Sequence, residues 1–214
     1  ELTFTTSGHF TLAPNDDAFA SAFDWNEPFS SGAFQFPSSG PFRNVNVTAG
    51  MSAISIGRYT GTGLTGDSTF AIGNTSDVTI SEAIDVDGPI SVYGGSIAVN
   101  QNLTSTASGE DILLKGSGSI TLASSTTLQT NDGDLILWSD SDANNEGHIA
   151  IGNDVTLNSV NESTASDLSS GGNIVLAGGA DDGANGGAAS DGLPDGFARS
   201  ASNPGIELST DGDG

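Results

Sequence analysis

Along most of the chain, apolar residues come in pairs separated by one variable position and closed by Gly, Asn, Asp or Ser. Val78-Thr79-Ile80, Ile84-Asp85-Val86, Ile90-Ser91-Val92, Ile97-Ala98-Val99, Ile112-Leu113-Leu114 and Ile120-Thr121-Leu122 follow this pattern. So do Leu135-Ile136-Leu137, Ile149-Ala150-Ile151, Val155-Thr156-Leu157, Ile174-Val175-Leu176 and Ile206-Glu207-Leu208. In an extended chain residues i and i+2 share a face, so the outer members of each triplet point to a core and the middle one away from it. Three-residue apolar runs are too short for helices, and these steps are far shorter than the periods of helical repeats.

The spacing predicts stacked turns of three strands. One turn takes the strands at Val78, Ile84 and Ile90, and the next starts at Ile97 with Leu103 as a weaker second strand. Ile112, Ile120 and Leu128 make a third turn, Leu135, Ile149 and Val155 a fourth, and Ile174 with Ile206 begins a fifth. Turns of roughly 19 to 23 residues suit a solenoid. The expected fold is all-β, a right-handed parallel β-helix (β-solenoid) with three short strands per turn, rising about 4.8 Å per turn. Val45-Asn46-Val47, Ala53 to Ile56 and Phe70 to Ile72 read as further rungs upstream.

Two segments depart from the repeat. Residues 1–44 hold eight of the ten Phe residues, Phe10, Phe19, Phe23, Phe29, Phe34, Phe36 and Phe42 among them, together with Trp25. They read as an aromatic-rich N-terminal cap or loop segment covering the open end of the stack, or alternatively as an aromatic ligand platform. Residues 45–214 form the solenoid, interrupted at 177–203 by a Gly/Asp-rich excursion that cannot build a core of its own. If Ile97, Ile112, Leu135 and Ile174 stack, the outward residues between their inner pairs are Ala98, Leu113, Ile136 and Val175. An apolar outer ladder on a soluble solenoid predicts an interaction surface, covered by the excursion, by the aromatic segment or by another protein.

Charge narrows the partners. Against 27 acidic residues stand only four basic ones, Arg43, Arg58, Lys115 and Arg199, for a net charge of −23. Nucleic acid and anionic lipid are therefore excluded as electrostatic partners, leaving neutral or cationic ones, or contacts bridged by a divalent metal. Crowded carboxylates repel unless screened, which fits saline or calcium-containing surroundings. The chain has no cysteine, so disulfides and thiolate metal sites are absent. It has no long apolar run, so direct membrane insertion is not expected. The ending Ser-Thr-Asp-Gly-Asp-Gly directly after a repeat strand suggests an excerpt from a longer protein.

Asp140, Asp142, Asn144 and Glu146 alternate in a loop after Leu137, a spacing of hard oxygen ligands that can wrap calcium. The competing reading is an acidic, solvated turn. Asp181, Asp182, Asp191 and Asp195 form a second acidic set in the excursion, and Asp85 and Asp87 face solvent by alternation. Glycoside cleavage on a β-helix needs clustered carboxylates with one kept protonated, and basic residues if the sugar is acidic. The sequence supplies the acids without the bases. His9 and His148 lie far apart and no Gly-x-Ser-x-Gly elbow exists, so no enzyme is expected.

Gly8-His9-Phe10-Thr11-Leu12-Ala13-Pro14, Phe19-Ala20-Ser21-Ala22-Phe23, Ile54-Ser55-Ile56-Gly57 and Gly88-Pro89-Ile90-Ser91-Val92-Tyr93-Gly94-Gly95 together resemble the repeating units of giant cell-surface adhesins of Bacteroidota. These are similar to gliding adhesins exported by type IX secretion and, broadly, to filamentous-haemagglutinin-type β-helices. The resemblance implies a structural and adhesive segment on the outside of a Gram-negative cell, binding surface polysaccharide or another cell-surface protein through many weak contacts. It carries no catalytic residues. Two alternatives stand beside it: a carbohydrate-active β-helix enzyme, lyase or hydrolase, and a self-assembling filament subunit that associates along the solenoid.

Overall fold

A computed structural model describes residues 2–5, 9–12, 23–25, 33–35, 45–48, 53–57, 59–60, 71–72, 75–160 and 171–209. Among them the strands are β1 (Leu2–Thr5), β2 (His9–Leu12), β3 (Phe23–Trp25), β4 (Ala33–Gln35), β5 (Val45–Thr48), β6 (Ala53–Ile56), β7 (Tyr59–Thr60) and β8 (Ala71–Ile72). They continue with β9 (Val78–Ile80), β10 (Ile84–Val86), β11 (Ile90–Gly94), β12 (Ile97–Val99), β13 (Leu103–Ser108), β14 (Ile112–Gly116) and β15 (Ile120–Leu122). The last are β16 (Thr127–Asn131), β17 (Leu135–Ser139), β18 (Ile149–Ile151), β19 (Thr156–Asn158), β20 (Ile174–Gly178) and β21 (Ile206–Leu208). No α-helix occurs among the described residues.

Three parallel sheets wrap one core, which makes the chain a β-solenoid with three strands per turn. The first has the order β2-β6-β11-β14-β17-β20, the second β3-β9-β12-β15-β18-β21 and the third β10-β13-β16-β19. Corresponding triplets stack in register, Ile90 on Ile112, Ile112 on Leu135 and Leu135 on Ile174. In the second sheet the column runs Phe23, Val78, Ile97, Ile120, Ile149, Ile206. The alternation works as the sequence implies. Ile97, Val99, Ile120, Leu122, Ile112 and Leu114 are at most 1% exposed, whereas the middle residue Thr121 is exposed. Each buried β-branched or leucine side chain removes enough apolar surface from water to contribute about 1.5–3 kcal/mol before entropy is counted.

The stacking corrects the expected phase of the first turns. β9 and β10 complete a turn opened by β6, and Ile90 opens the next, which Ile97 and Leu103 complete. Ile97 therefore stacks on Val78 and Ile120, not on Ile112. A signal that separates the columns was present in the sequence. From β11 onward, first-sheet strands run five residues and end in a small residue (Gly94, Gly116, Ser139, Gly178), while second-sheet strands run three. A small residue is needed there: a Cβ on Gly178 would stand 2.7 Å from the backbone of both Ser139 and Ala198. Two of the upstream rungs are also corrected. β5 lies with β1 and β4 in a separate three-stranded sheet, and β8 pairs antiparallel with β7. Only β6 is a rung.

Within the 1–44 segment, β2 and β3 pair with β6 and β9, so Phe23 and Trp25 line the core at 6% and 1% exposure, with Phe10 packed against it. These three aromatics pack into or against the core at the first rung. Phe19, Phe29, Phe36 and Phe42 lie outside the described residues.

The third sheet has a partly polar lining, because its inner column carries Ser105, Thr130 and Ser159 beyond Leu103, Leu128 and Leu157. Each hydroxyl donates to a corner carbonyl: Ser105 to Gly88 (2.9 Å), Thr130 to Gly133 (2.6 Å) and Ser159 to Gly172 (2.8 Å). Satisfied in this way, the hydroxyls avoid the penalty of an unpaired buried polar group. At the same corner Asp111 Oδ1 accepts the N–H of Asp134 (2.7 Å), and Asp134 Oδ1 accepts that of Asn173 (2.6 Å), a side-chain ladder tying rung to rung.

Candidate functional site

From β11 onward the corner between the first and second sheets widens along the stack. It is only Gly95 and Ser96 after β11, and Ser117 to Ser119 after β14; then it expands to Asp140–His148 after β17 and to Gly179–Gly205 after β20. Solenoids accept insertions at a corner because the strands above and below keep their partners, and insertions on one corner gather on one face. The two large loops therefore lie on consecutive rungs and pack together. Gly179 N–H donates to the Asp140 carbonyl (3.1 Å), Arg199 N–H to the Gly147 carbonyl, and Arg199 Nη1 to Asn145 Oδ1 (2.8 Å). Between them is a cleft of about 130 Å³, lined in part by Asp140, Asn145, Asp182, Asp195, Phe197 and Arg199.

Of the four residues read as a calcium set, Asp140, Asp142 and Asn144 turn side-chain oxygens to N–H groups of their own loop. Asp140 is 1% exposed and its Oδ1 accepts Asn145 N–H (2.9 Å). Asp142 accepts from the Asn144 backbone and amide (3.4 and 3.0 Å), and Asn144 Oδ1 accepts Glu146 N–H (2.8 Å). The two-residue spacing is that of successive Asx turns, in which a side-chain oxygen caps the N–H two residues on. Asp182 to Ala184 and Asp191 to Leu193 repeat the device in the second loop. Among the described residues no three His, Cys, Asp or Glu side chains lie close enough together to hold a metal ion.

The second loop is held by its acids. Asp195, 8% exposed, accepts Gly183 N–H on Oδ2 (2.6 Å), and its backbone carbonyl accepts the Asn185 amide (2.6 Å). Gly187 packs directly on the same carboxylate, where a Cβ would overlap it. Asp181 accepts the N–H groups of Asp191 (3.1 Å) and Gly192 (2.9 Å). Sequence composition marked this segment only as an excursion; the carboxylates that order it were legible, their N–H partners ten to twelve residues away were not.

Of the outward ladder, Leu113, Ile136 and Val175 stack on β14, β17 and β20. Ala98 does not join them, since it pairs with Thr79 and Thr121 in the second sheet. Its place below Leu113 is taken by Ser91. Ile136 is 7% exposed, and Leu113 and Val175 are half-buried. Two residues on, Tyr93, Lys115, Trp138 and Ala177 form the next outward column. Trp138 is 1% exposed, its Nε1–H donates to the Gly179 carbonyl (2.7 Å), and Lys115 Nζ stands 3.2 Å from its ring centroid. The excursion thus begins by fastening itself to the outer face of the sheet.

His148 Nδ1 lies 2.7 Å from Ser119 Oγ, on adjacent rungs of the same corner, and His148 N–H also donates to that oxygen. The pair ties Ser119 to the strand-leading position of β18. No helix of the described residues is long and apolar enough to cross a membrane. Comparisons with protein-family models, with curated proteins and with solved structures each give no match to this chain.

Proposed function

We propose that this chain is a structural and adhesive segment of a large exported surface protein of a Gram-negative bacterium, attaching to surface polysaccharide or to a partner protein. The observation that carries the reading is the division of labour in the fold. A uniform three-sided core makes a stiff rod, while the two enlarged loops gather on one corner and offer a shallow cleft. Repetition of such segments converts weak contacts into strong attachment by multivalency. The adhesin-like phrases, with Gly88-Pro89-Ile90-Ser91-Val92 among them, support the same reading, and the net charge of −23 suits a solvated extracellular filament in salt or calcium.

The test is retention of particles coated with the full chain on polysaccharide films and on bacterial or abiotic surfaces under flow. Retention well above that of particles coated with an unrelated acidic protein supports the reading. Equal release from every surface, with the fold intact by circular dichroism, overturns it.

One observation favours a second reading, a carbohydrate-active enzyme. Asp140, Asp182 and Asp195 line one cleft with Arg199 beside them. Against it, each of those carboxylates already accepts a backbone N–H of its own loop, which suits a scaffold better than a proton donor. Release of reducing ends or unsaturated sugars from a glycan panel, abolished by Asp182→Asn, would move the assignment to catalysis.

A further inference from the structure

We infer that the cleft between loops 140–147 and 179–199 binds one ring of a neutral, hydroxyl-rich glycan, with Phe197 against the C–H face of the sugar. The inference rests on the adhesive reading and names the ligand class of its site.

Phe197 is 58% exposed in a segment otherwise built of Gly, Ala, Asp, Ser and Pro with few large apolar groups, and it sits on the cleft rim. The Arg199 guanidinium stands over the ring at 5.7 Å from its centroid, and the part of the ring left open to water offers a flat apolar surface beside polar groups. Pyranose rings match that combination, presenting C–H bonds on a face and hydroxyls around the edge.

The polar groups are of mixed kind and fixed in place. Asp182 is exposed and engages one backbone N–H, and an ionised carboxylate has about four acceptor positions, so capacity remains there for sugar O–H donors, while the buried Asp140 and Asp195 hold the loops behind it. Arg199 directs Nη1 to Asn145 Oδ1, which holds the guanidinium at the rim with further N–H donors in its fork. Hydroxyl groups both donate and accept, and vicinal pairs are the ligands that use carboxylate and guanidinium side by side.

Charge and size select the rest. Three acids against one arginine line the cleft and the chain carries −23, so uronate and sulfated sugars are repelled. A volume of about 130 Å³ accommodates part of one ring and not an enclosed metabolite. The walls are preorganised by Trp138 to Gly179 and Gly183 to Asp195 hydrogen bonds, which lowers the ordering cost of a weak ligand.

The experiment titrates the ¹⁵N-labelled full chain with neutral, uronic and amino oligosaccharides, comparing wild type with Phe197→Ala and, as a control on another sheet face, Thr121→Ala. The expected result is millimolar binding of a neutral glycan, with amide shifts confined to residues 140–147 and 179–199. Phe197→Ala should weaken it by about tenfold with the melting midpoint unchanged, and Thr121→Ala should leave it intact. Unaltered affinity in Phe197→Ala, shifts centred elsewhere, or binding of charged sugars alone overturns the assignment. So does an absence of glycan binding while coated particles still adhere, in which case the adhesive reading survives and the cleft is excluded. Loss of particle adhesion altogether removes the adhesive reading itself.

Discussion

The indole N–H of Trp138 donates to the carbonyl of Gly179 at 2.7 Å, joining the outer face of β17 to the first residue of the loop on the next rung. This bond and the Lys115 ammonium 3.2 Å from the ring centroid explain why a tryptophan at an outward position is 1% exposed. Trp138→Phe removes the donor and should cost about 1 kcal/mol, whereas Trp138→Ala should cost about 3–5 kcal/mol by denaturant unfolding. Trp25 is the other tryptophan, so the loss of fluorescence in Trp138→Phe reports which emission belongs to the loop anchor. Equal stability of wild type and the alanine variant would show that the excursion is not fastened there.

Core and surface positions one residue apart should separate cleanly. Ile120→Ala opens a cavity in the second-sheet column and should destabilise by about 2–5 kcal/mol, while the adjacent Thr121→Ala stays within about 0.5 kcal/mol. Each rung touches only its neighbours, so amide exchange should accelerate first in β12, β15 and β18. Uniform acceleration from β9 to β21 would argue for a more cooperative unit than a stack of rungs.

Gly172 stacks on Gly133 at the corner leading into β20, and a Cβ at Gly172 would overlap the Gly133 carbonyl oxygen. The same carbonyl accepts the Thr130 hydroxyl, so it has little freedom to move. Gly172→Ala should therefore cost about 1–3 kcal/mol in thermal or chemical unfolding. Gly109→Ala meets no neighbouring atom but carries a φ of 79°, which isolates backbone strain from collision. A cost at Gly172 no larger than at Gly109 would mean that the corner relaxes.

Screening and specific binding by calcium can be told apart at the 140–146 loop. Because Asp140, Asp142 and Asn144 cap backbone N–H groups, calcium should raise the melting midpoint no more than sodium chloride of equal ionic strength. Asp142→Ala and Asn144→Ala should leave that comparison unchanged. A calcium-specific rise in the wild type that both variants abolish would assign an ion to the loop.

The period-two alternation by itself determined that the chain forms short strands and which side chains face the core, and the short spacing of the triplets pointed to parallel stacked turns. Such alternation is a local property, enforced wherever one face must leave water, and Ile120 beside Thr121 is a sufficient example. Composition likewise determined the repulsive surface charge. The tertiary structure decided the phase of the stack, because triplets such as Ile90-Ser91-Val92 and Ile97-Ala98-Val99 look alike in themselves, and only the stacking gives meaning to the Tyr93-Gly94 extension that lengthens the first. That phase moved Ala98 to the second sheet and left Leu113, Ile136 and Val175 together. It also brought Asn145 to Arg199 and Asp140 to Gly179, since insertions of unequal length on consecutive rungs meet at one corner whatever their separation along the chain. The spacing of Asp140, Asp142, Asn144 and Glu146 was legible, but whether those oxygens turn to an ion or to the backbone depends on where the loop's N–H groups point, which is fixed by the rung beneath it.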